Sequence, residues 1–260
     1  MAQYIKTEDG YKEFSIVTDD KMDKTNPTGT GSFSMNRKAG TVIGTNSHAE
    51  GNDTTASRAY SHAEGDSTQA SGIVSHAEGF YTKASGDYSH AEGYWATASG
   101  SNSHAEGFFT TTSGKHSHAE GNHTTASGID SHAEGGSTNA FSSVVTTTNP
   151  TTADIIKAWE TKKFSVAKGN YSHVEGKDNL ALNDYSHAEG SWTTASNSYS
   201  HAEGYSTKAS GGSSHAEGYI TTASGSNSHA EGYRTTASGG YSHAEGYRTK
   251  ASGGSSHAEG

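Results

Sequence analysis

A five-residue motif, Ser-His-Ala-Glu-Gly, recurs along this chain at a spacing of 14 residues. The first full copy begins at Ser47, and the histidines of later copies keep the same interval as far as His132. After a gap of 41 residues the interval resumes at His173 and continues to His257. A fixed period of this kind is typical of solenoid proteins, in which each repeat forms one turn stacked on the last. The repeat therefore predicts a stacked fold with one interruption.

The composition decides what the interior of such a stack can contain. Only 29% of the 260 residues are hydrophobic, and 33 are glycine. Globular domains are usually about 45–50% apolar, so one large apolar core is excluded. Disorder is the other common outcome of a polar composition, but disorder does not impose a strict period. We therefore expect a thin coil filled by backbone and small side chains.

The full repeat reads Ser-His-Ala-Glu-Gly-x-x-Thr-x-Ala-Ser-Gly-x-x, with two short segments that each end in glycine. Side chains alternate between the two sides of a strand, so Ser and Ala of the first segment share one side while His and Glu share the other. In the second segment Thr and Ala share a side, opposite to the variable residue and Ser. Pressing the small-residue sides together predicts a flat coil of two parallel sheets.

The two glycines differ in how strictly they are kept. The first glycine has no exception, which predicts a tight corner or a close approach of two backbones. The second glycine is replaced in some turns, and we expect it to need a positive φ because asparagine is among its replacements. The replacements are Arg58, Ser142, Asn183 and Asn197.

Residues 144–170 interrupt the repeat. Pro150, Thr151 and Thr152 are typical of a helix start, and Ile155, Ile156 and Trp159 form one apolar face. We expect a helix-containing insertion that packs on the side of the coil or on a neighbouring chain, with an unpartnered surface loop as the alternative. The predicted organisation is an N-terminal attachment or capping segment (1–31), repeats (32–143), the helical insertion (144–170) and further repeats (171–260).

Several classes of partner are disfavoured by the sequence. The net charge of −10 opposes nucleic acid binding, and the absence of cysteine excludes disulfides and thiolate metal sites. No run approaches the ~20 apolar residues that span a membrane. The N-terminal residues show no apolar stretch of a signal peptide, which disfavours a secreted protein.

The repeat resembles the 14-residue head repeat of YadA-like trimeric autotransporter adhesins, a layout also found in tail-fibre proteins of phages and prophages. The resemblance covers 32–143 and 171–260. It implies an all-β fold, a left-handed parallel β-roll or β-solenoid of 14-residue turns, with three identical chains side by side and a role in attachment. One departure is that the family usually has aliphatic residues where this chain has His48 and Glu50.

Stacking in register would place every histidine above the previous one, and every glutamate likewise. This face either points toward the threefold axis of a homotrimer or faces water, and its uniformity favours the axis. Close, ionised glutamates would raise the histidine pKa values, so we expect part of the stability to be lost as the pH rises through those values. The predicted axial ladder consists of His48, Glu50, His62, Glu64, His76, Glu78, His90, Glu92, His104, Glu106, His118, Glu120, His132, Glu134, His173, Glu175, His187, Glu189, His201, Glu203, His215, Glu217, His229, Glu231, His243 and Glu245.

The variable positions after the first glycine are rich in aromatic residues. They are predicted to stack as an outer ladder that either packs between subunits or binds a cell-surface glycan or cell-wall polymer through flat apolar rings. The candidates are Phe80, Tyr81, Tyr94, Trp95, Phe108, Phe109, Trp192, Tyr219, Tyr233 and Tyr247.

Other functions fit the pattern less well. Ser47 and His48 are neighbours on a strand and point apart, which opposes a catalytic triad. A divalent ion in every turn would lie about 4.8 Å from the next and be repelled, so we predict no metal site and no cofactor. A threonine lattice for ice binding is spoiled by residues such as Gln69, Lys83 and Lys208.

These observations predict a non-enzymatic structural fibre segment of a phage or prophage tail. It would act as a stiff spacer and host-attachment surface within the virion. The alternatives are the head of a bacterial trimeric adhesin at the cell surface, and an ice-binding or metal-binding solenoid.

Overall fold

A computed structural model describes residues 3–7, 10–14, 32–37, 42–136, 155, 156, 158 and 164–260. Near the N-terminus β1 (Gln3–Thr7) and β2 (Gly10–Phe14) form an antiparallel pair. From β3 (Phe33–Arg37) onward, 27 strands form one continuous parallel coil of about 13 turns. The predicted all-β solenoid of 14-residue turns is therefore confirmed.

Each turn contributes one strand from its first segment and one from its second. The first-segment strands are β4 (His48–Ala56), which continues into the second segment, β5 (His62–Asp66), β7 (His76–Phe80), β9 (His90–Tyr94), β11 (His104–Phe108), β13 (His118–Asn122), β15 (His132–Ala133), β17 (His173–Lys177), β19 (His187–Ser191), β21 (His201–Tyr205), β23 (His215–Tyr219), β25 (His229–Tyr233), β27 (His243–Tyr247) and β29 (His257–Glu259). The second-segment strands are β6 (Gln69–Ala70), β8 (Lys83–Ala84), β10 (Thr97–Ala98), β12 (Thr111–Thr112), β14 (Thr124–Ala126), β16 (Ser165–Ala167), β18 (Leu180–Ala181), β20 (Thr194–Ala195), β22 (Lys208–Ala209), β24 (Thr222–Ala223), β26 (Thr236–Ala237) and β28 (Lys250–Ala251).

The register between turns is set by the repeat. His76 pairs with His90 and Ala77 with Ala91, and the same correspondence holds in the other repeat turns. The His62 N–H donates to the Ser75 carbonyl of the next turn at 2.8 Å. Because every strand of the coil is hydrogen-bonded to its equivalent in the adjacent turn, the backbone polar groups are satisfied without a large core.

The interior is a thin layer of small side chains, as predicted. The alanines of both segments are buried, for example Ala77 and Ala84, each with no exposed surface. The serine that opens the first segment is also buried, and its hydroxyl donates to the carbonyl at the second-glycine position, as Ser75 Oγ does to the Gly72 oxygen at 2.7 Å. Val174 replaces one alanine and is accommodated without exposure.

The two glycines of each turn have different reasons for being glycine. The first glycine has a φ of 99° to 118°, and a Cβ on Gly93 would lie 2.4 Å from the Gly107 oxygen of the next turn. The close approach predicted for this position is confirmed, whereas the corner lies two residues farther along the chain, as at Trp95. The second glycine was predicted to need a positive φ, and this was wrong: Gly86 is not in that region, but its Cβ would lie 2.0 Å from the Gly100 oxygen.

Besides the first glycine, positive φ values occur at non-glycine residues spaced seven apart, at the two corners of each turn. Their φ values lie between 52° and 60°, and they include Val74, Trp95 and Ile220. This conformation is unfavourable for bulky and β-branched residues. Each corner offsets the cost with a backbone bond to the previous turn, such as Trp95 N–H to the Phe80 oxygen at 2.9 Å.

The described residues of the insertion pack on one side of the coil. Ile155 and Phe164 are buried and form an apolar cluster with Val166, Leu180 and Leu182. Val166 and Leu180 occupy the variable position of the second segment, so this cluster covers the second-segment side of the coil. The predicted helix lies mostly outside the described residues, as does Ser142.

Candidate functional site

The most regular surface of the molecule is the His/Glu face, formed by the histidine and glutamate of every first segment from His48 to Glu259. These side chains point outward because the alanine between them points into the coil. Parallel pairing in register places each histidine directly above the previous one, as in His62 and His76, and each glutamate likewise. The predicted columns therefore line up from turn to turn.

The imidazoles form a stacked column. From His62 to His243 neighbouring ring centroids lie 4.6 to 5.0 Å apart with interplanar angles of 3° to 21°. The column crosses the insertion without a break, since His132 stacks on His173 at 5.0 Å and 9°. Only the ends depart from this geometry, with 34° between His48 and His62 and 67° between His243 and His257.

Each imidazole also has a carboxylate beside it. In most turns histidine Nε2 lies 3.2 to 3.8 Å from an oxygen of the glutamate two residues later. Glu92 reaches two turns, because its second oxygen is 4.0 Å from His104 Nε2. From His62 to His243 the Nε2 atoms are shielded from solvent and make no hydrogen bond within the described part of the chain. Such atoms are costly unless a partner or ligand satisfies them.

The electrostatics of this column differ from the prediction. The pKa of His187 is lowered to about 4, first because burial disfavours the imidazolium and then because His201 and His173 would repel it. The pKa values of other imidazoles in the column are lowered for the same leading reason, at His62, His90, His118, His132, His215 and His229. The expected rise in histidine pKa was therefore wrong, because desolvation and neighbouring imidazoles outweigh the attraction of the glutamates.

The carboxylates interact with one another as well. A hydrogen bond with Glu78 is the main cause that raises the pKa of Glu92 to about 7, and the same type of bond lowers the pKa values of Glu78 and Glu106. These stacked carboxylates interact and therefore titrate as a group. Burial raises the pKa of Glu120 in the same column.

A shallow groove runs beside the glutamate column. Its floor is the backbone of the first glycines, from Gly51 to Gly93, and its wall is formed by Glu50, Glu64 and Glu78. This part of the groove has a volume of about 490 Å³, and a second part between Glu78 and Gly121 adds about 310 Å³. The missing side chains of the glycines therefore leave space along the His/Glu face.

The predicted aromatic ladder forms at the corner after the first glycine. Phe80, Tyr94 and Phe108 stack at 5.1 Å, and Tyr81, Trp95 and Phe109 form a second column beside them. Farther along, Trp192 packs at a tilt on Tyr205, which begins a stack through Tyr219 and Tyr233 to Tyr247. Most of these rings are 36% to 61% exposed. Because their faces contact each other, a ligand meets mainly ring edges and hydroxyl groups.

Sequence reasoning missed an equivalent stack at the other corner of the turn. Tyr171, Tyr185 and Tyr199 follow the second-glycine position in consecutive turns and stack at 4.9 Å. The signal was present, since all three are tyrosines at the same place in the repeat. It is easily overlooked because half of the turns have asparagine, histidine, aspartate or serine at this position.

The geometry also bears on the other functions considered. Ser75 Oγ is inside the coil while His76 is on its outer side, so the serine and histidine of the motif do not meet. The regular threonines of the second segment, such as Thr68 and Thr82, point inward and are buried. The outward row beside them contains Gln69 and Lys83, and therefore offers no regular threonine lattice.

The described residues contain no helix with the length and hydropathy that a membrane crossing needs. Comparison with known proteins found no matching family model and no curated protein with significant similarity.

Proposed function

We propose that this chain is a non-enzymatic structural segment of a fibre. Three copies pack side by side as left-handed β-rolls, with their His/Glu faces toward a common axis. The fibre acts as a stiff spacer with a host-attachment surface on a phage or prophage tail. The helical part of the insertion lies on the outside of this assembly.

The proposal is carried by the side of the coil that the described residues of the insertion cover. The chain leaves the coil between His132 and His173, yet the imidazole stack continues across this point at 5.0 Å. Ile155 and Phe164 pack over Val166 and Leu180, on the side away from the His/Glu face. An insertion on the His/Glu face would block a partner there, whereas the described residues Ile155 and Phe164 of this insertion lie on the other side of the coil.

The chemistry of the face supports a partner with the same period. The shielded Nε2 atoms have no hydrogen bond within the described chain, and carboxylates stand beside them in most turns. A second copy in the same register repeats these groups at the same spacing, so donors and acceptors can match along the whole length. The groove beside the glutamates gives the neighbouring side chains room to enter.

The mass of the protein in solution tests this arrangement. Light scattering should give three times the chain mass of 27.0 kDa. Replacing His201 and His215 by aspartate adds charge beside Glu203 and should dissociate the trimer. The matched control is Thr222→Asp with Thr236→Asp on the opposite side of the coil, which should remain trimeric. A wild-type monomer would contradict the proposal.

The setting of the fibre is tested separately. A tail component should be found in purified virions and be labelled by antibody along the tail in electron micrographs. Its gene should lie among tail genes, whereas a surface adhesin should be accompanied by secretion components. Labelling of the bacterial surface alone would favour the adhesin.

A further inference from the structure

Three potential ligand atoms meet between adjacent turns on the His/Glu face. In one such group Glu92 lies 3.7 Å from Nε2 of His90 in its own turn and 4.0 Å from Nε2 of His104 in the next. All three ligand atoms are within 4.8 Å of one another. The same arrangement recurs along the column, for example at His201, Glu203 and His215.

This donor set matches a borderline divalent ion. Zn²⁺ binds imidazole nitrogen and carboxylate oxygen at about 2.0–2.2 Å, so two ligands of a tetrahedral ion stand about 3.3 Å apart. The observed separations exceed this by about 1.5 Å or less, which rotation of partly exposed side chains can close. Nε2 of His90 and His104 makes no hydrogen bond among the described residues, so binding breaks none at these atoms.

We propose that the His/Glu face binds divalent transition-metal ions, each held between two adjacent turns by one histidine from each turn and one glutamate. With Zn²⁺ as the representative ion, water completes the coordination.

The period of the column limits how many ions it can hold. Each histidine belongs to two consecutive groups, so His104 cannot serve both Glu92 and Glu106 at once. Ions in every turn would also repel each other at about 4.8 Å. Occupying every second group doubles the separation and gives each ion its own ligands. The sequence-based objection concerned one ion per turn, and it does not apply to this arrangement.

The site is built within one chain and does not depend on the trimer. The prediction of Zn²⁺ uptake and the prediction of a trimer can therefore be contradicted independently. A monomer that binds Zn²⁺ would contradict the proposed trimer alone, whereas a trimer that binds none would overturn the metal site alone.

The experiment is a Zn²⁺ titration of the full chain after treatment with a chelator. Calorimetry and elemental analysis should give several ions per chain, at most one for every two turns. Glu92→Gln, Glu106→Gln and Glu120→Gln together should remove the ions of this stretch, with affinity there falling at least about tenfold. The matched control is His116→Gln, which removes an exposed histidine paired with Asp130 at 3.0 Å on another surface and should leave uptake unchanged.

A second measurement keeps the test clear if the variant folds poorly. Co²⁺ added to the wild-type chain should give the visible absorption of a four- or five-coordinate site, and Zn²⁺ should abolish it by competition. The proposal is overturned if the folded wild-type chain takes up no Zn²⁺, if the glutamine variant binds as many ions as the wild type, or if one ion binds per turn.

Discussion

The two segments of each turn have similar residues inside the coil but different residues on its outer side. Ala77 of one and Ala84 of the next are equally buried, and both are followed by a glycine that approaches the next turn. Outside, the first segment presents histidine and glutamate in turn after turn, whereas the second presents Gln69, Lys83 or Thr97 at equivalent places. Folding alone therefore does not require a uniform outer side. The uniformity of the His/Glu face indicates an additional requirement, which the proposed trimer would supply.

The sharpest way to test this difference is to place the same substitution at both glycines of one turn. Gly204→Asn should destabilise the protein by about 3 kcal/mol or more, because its φ of 107° and a carbonyl 2.2 Å from the new Cβ both oppose a side chain. Gly211→Asn should cost less, because its φ is not in the left-handed region and Asn183 and Asn197 already occupy this position in other turns, so only the approach of the new Cβ to the Gly225 oxygen at 2.0 Å opposes it. Denaturant unfolding measures both variants. Equal costs would contradict the distinction.

The next largest effect should come from pH, which acts on the His/Glu face and not on the threonines and lysines opposite. The pKa of His187 is lowered from 6.5 to about 4 in the folded chain. As the pH falls, the unfolded chain therefore takes up a proton at this residue before the folded chain does. This contribution to stability is complete above pH 6.5 and is lost between about pH 6.5 and pH 4. The raised pKa of Glu92 acts in the opposite direction up to about pH 7, but fewer carboxylates are raised than imidazoles are lowered.

We therefore expect the melting temperature, measured with a chelator present, to drop by several degrees from pH 7.5 to pH 4.5. Replacing His187, His215 and His229, whose pKa values are all lowered, by glutamine should flatten this dependence. The control replaces Lys208 and Lys250 on the opposite side and should leave it unchanged. A melting temperature that rises on acidification would contradict the lowered pKa values.

A smaller effect is expected at the aromatic corner that joins the two segments. Tyr219→Ala removes two ring contacts, with Tyr205 and Tyr233, worth about 0.5–1.5 kcal/mol each. Tyr241→Ala should have almost no effect, because this ring is 71% exposed and has no ring contact among the described residues. Unfolding of the two variants in the same buffer compares them. If binding to host cells changes while stability does not, recognition is the main role of the ladder.

The smallest effect concerns threonines inside the second segment. Thr110 and Thr124 are both fully buried, but only Thr124 Oγ1 donates, to the Glu120 oxygen at 3.0 Å. Thr124→Val should therefore lose about 1 kcal/mol, whereas Thr110→Val should be neutral or slightly stabilising. Calorimetric melting of the pair gives the difference directly. A loss of stability in both would mean that Thr110 also finds a partner.

The 14-residue period and the alternation of side chains along a strand were enough to predict which residues face the interior and how the turns pair. It placed Ala77 and Thr82 inside and His76 and Glu78 outside, and it gave the register across turns. The corners were not predicted, because the residues with positive φ are as varied as Val74 and Trp95. Their backbone is held by a bond to the previous turn, which does not depend on the side chain.

The direction of the histidine pKa shifts could not be predicted from the sequence either. Whether Glu203 raises the pKa of His187 or burial lowers it depends on distances and shielding that only coordinates provide. The asparagines at the second-glycine position led to the wrong prediction of a positive φ for a similar reason. Asn183 is accepted there because its side chain donates to the Ser196 oxygen at 2.7 Å, and not because the backbone is left-handed.

The pairing of His132 with His173 across the insertion has a consequence for how such a chain changes during evolution. A loop can be added between turns at no cost to the stack, provided that the chain re-enters at the same point of the repeat. Gain or loss of 14 residues changes the length of the rod by one step and leaves every surface aligned. A shift of seven would exchange the two sheets and bring Thr and Lys into the histidine column. Genetic duplication and deletion are thereby restricted to whole steps, and length becomes the property most readily adjusted.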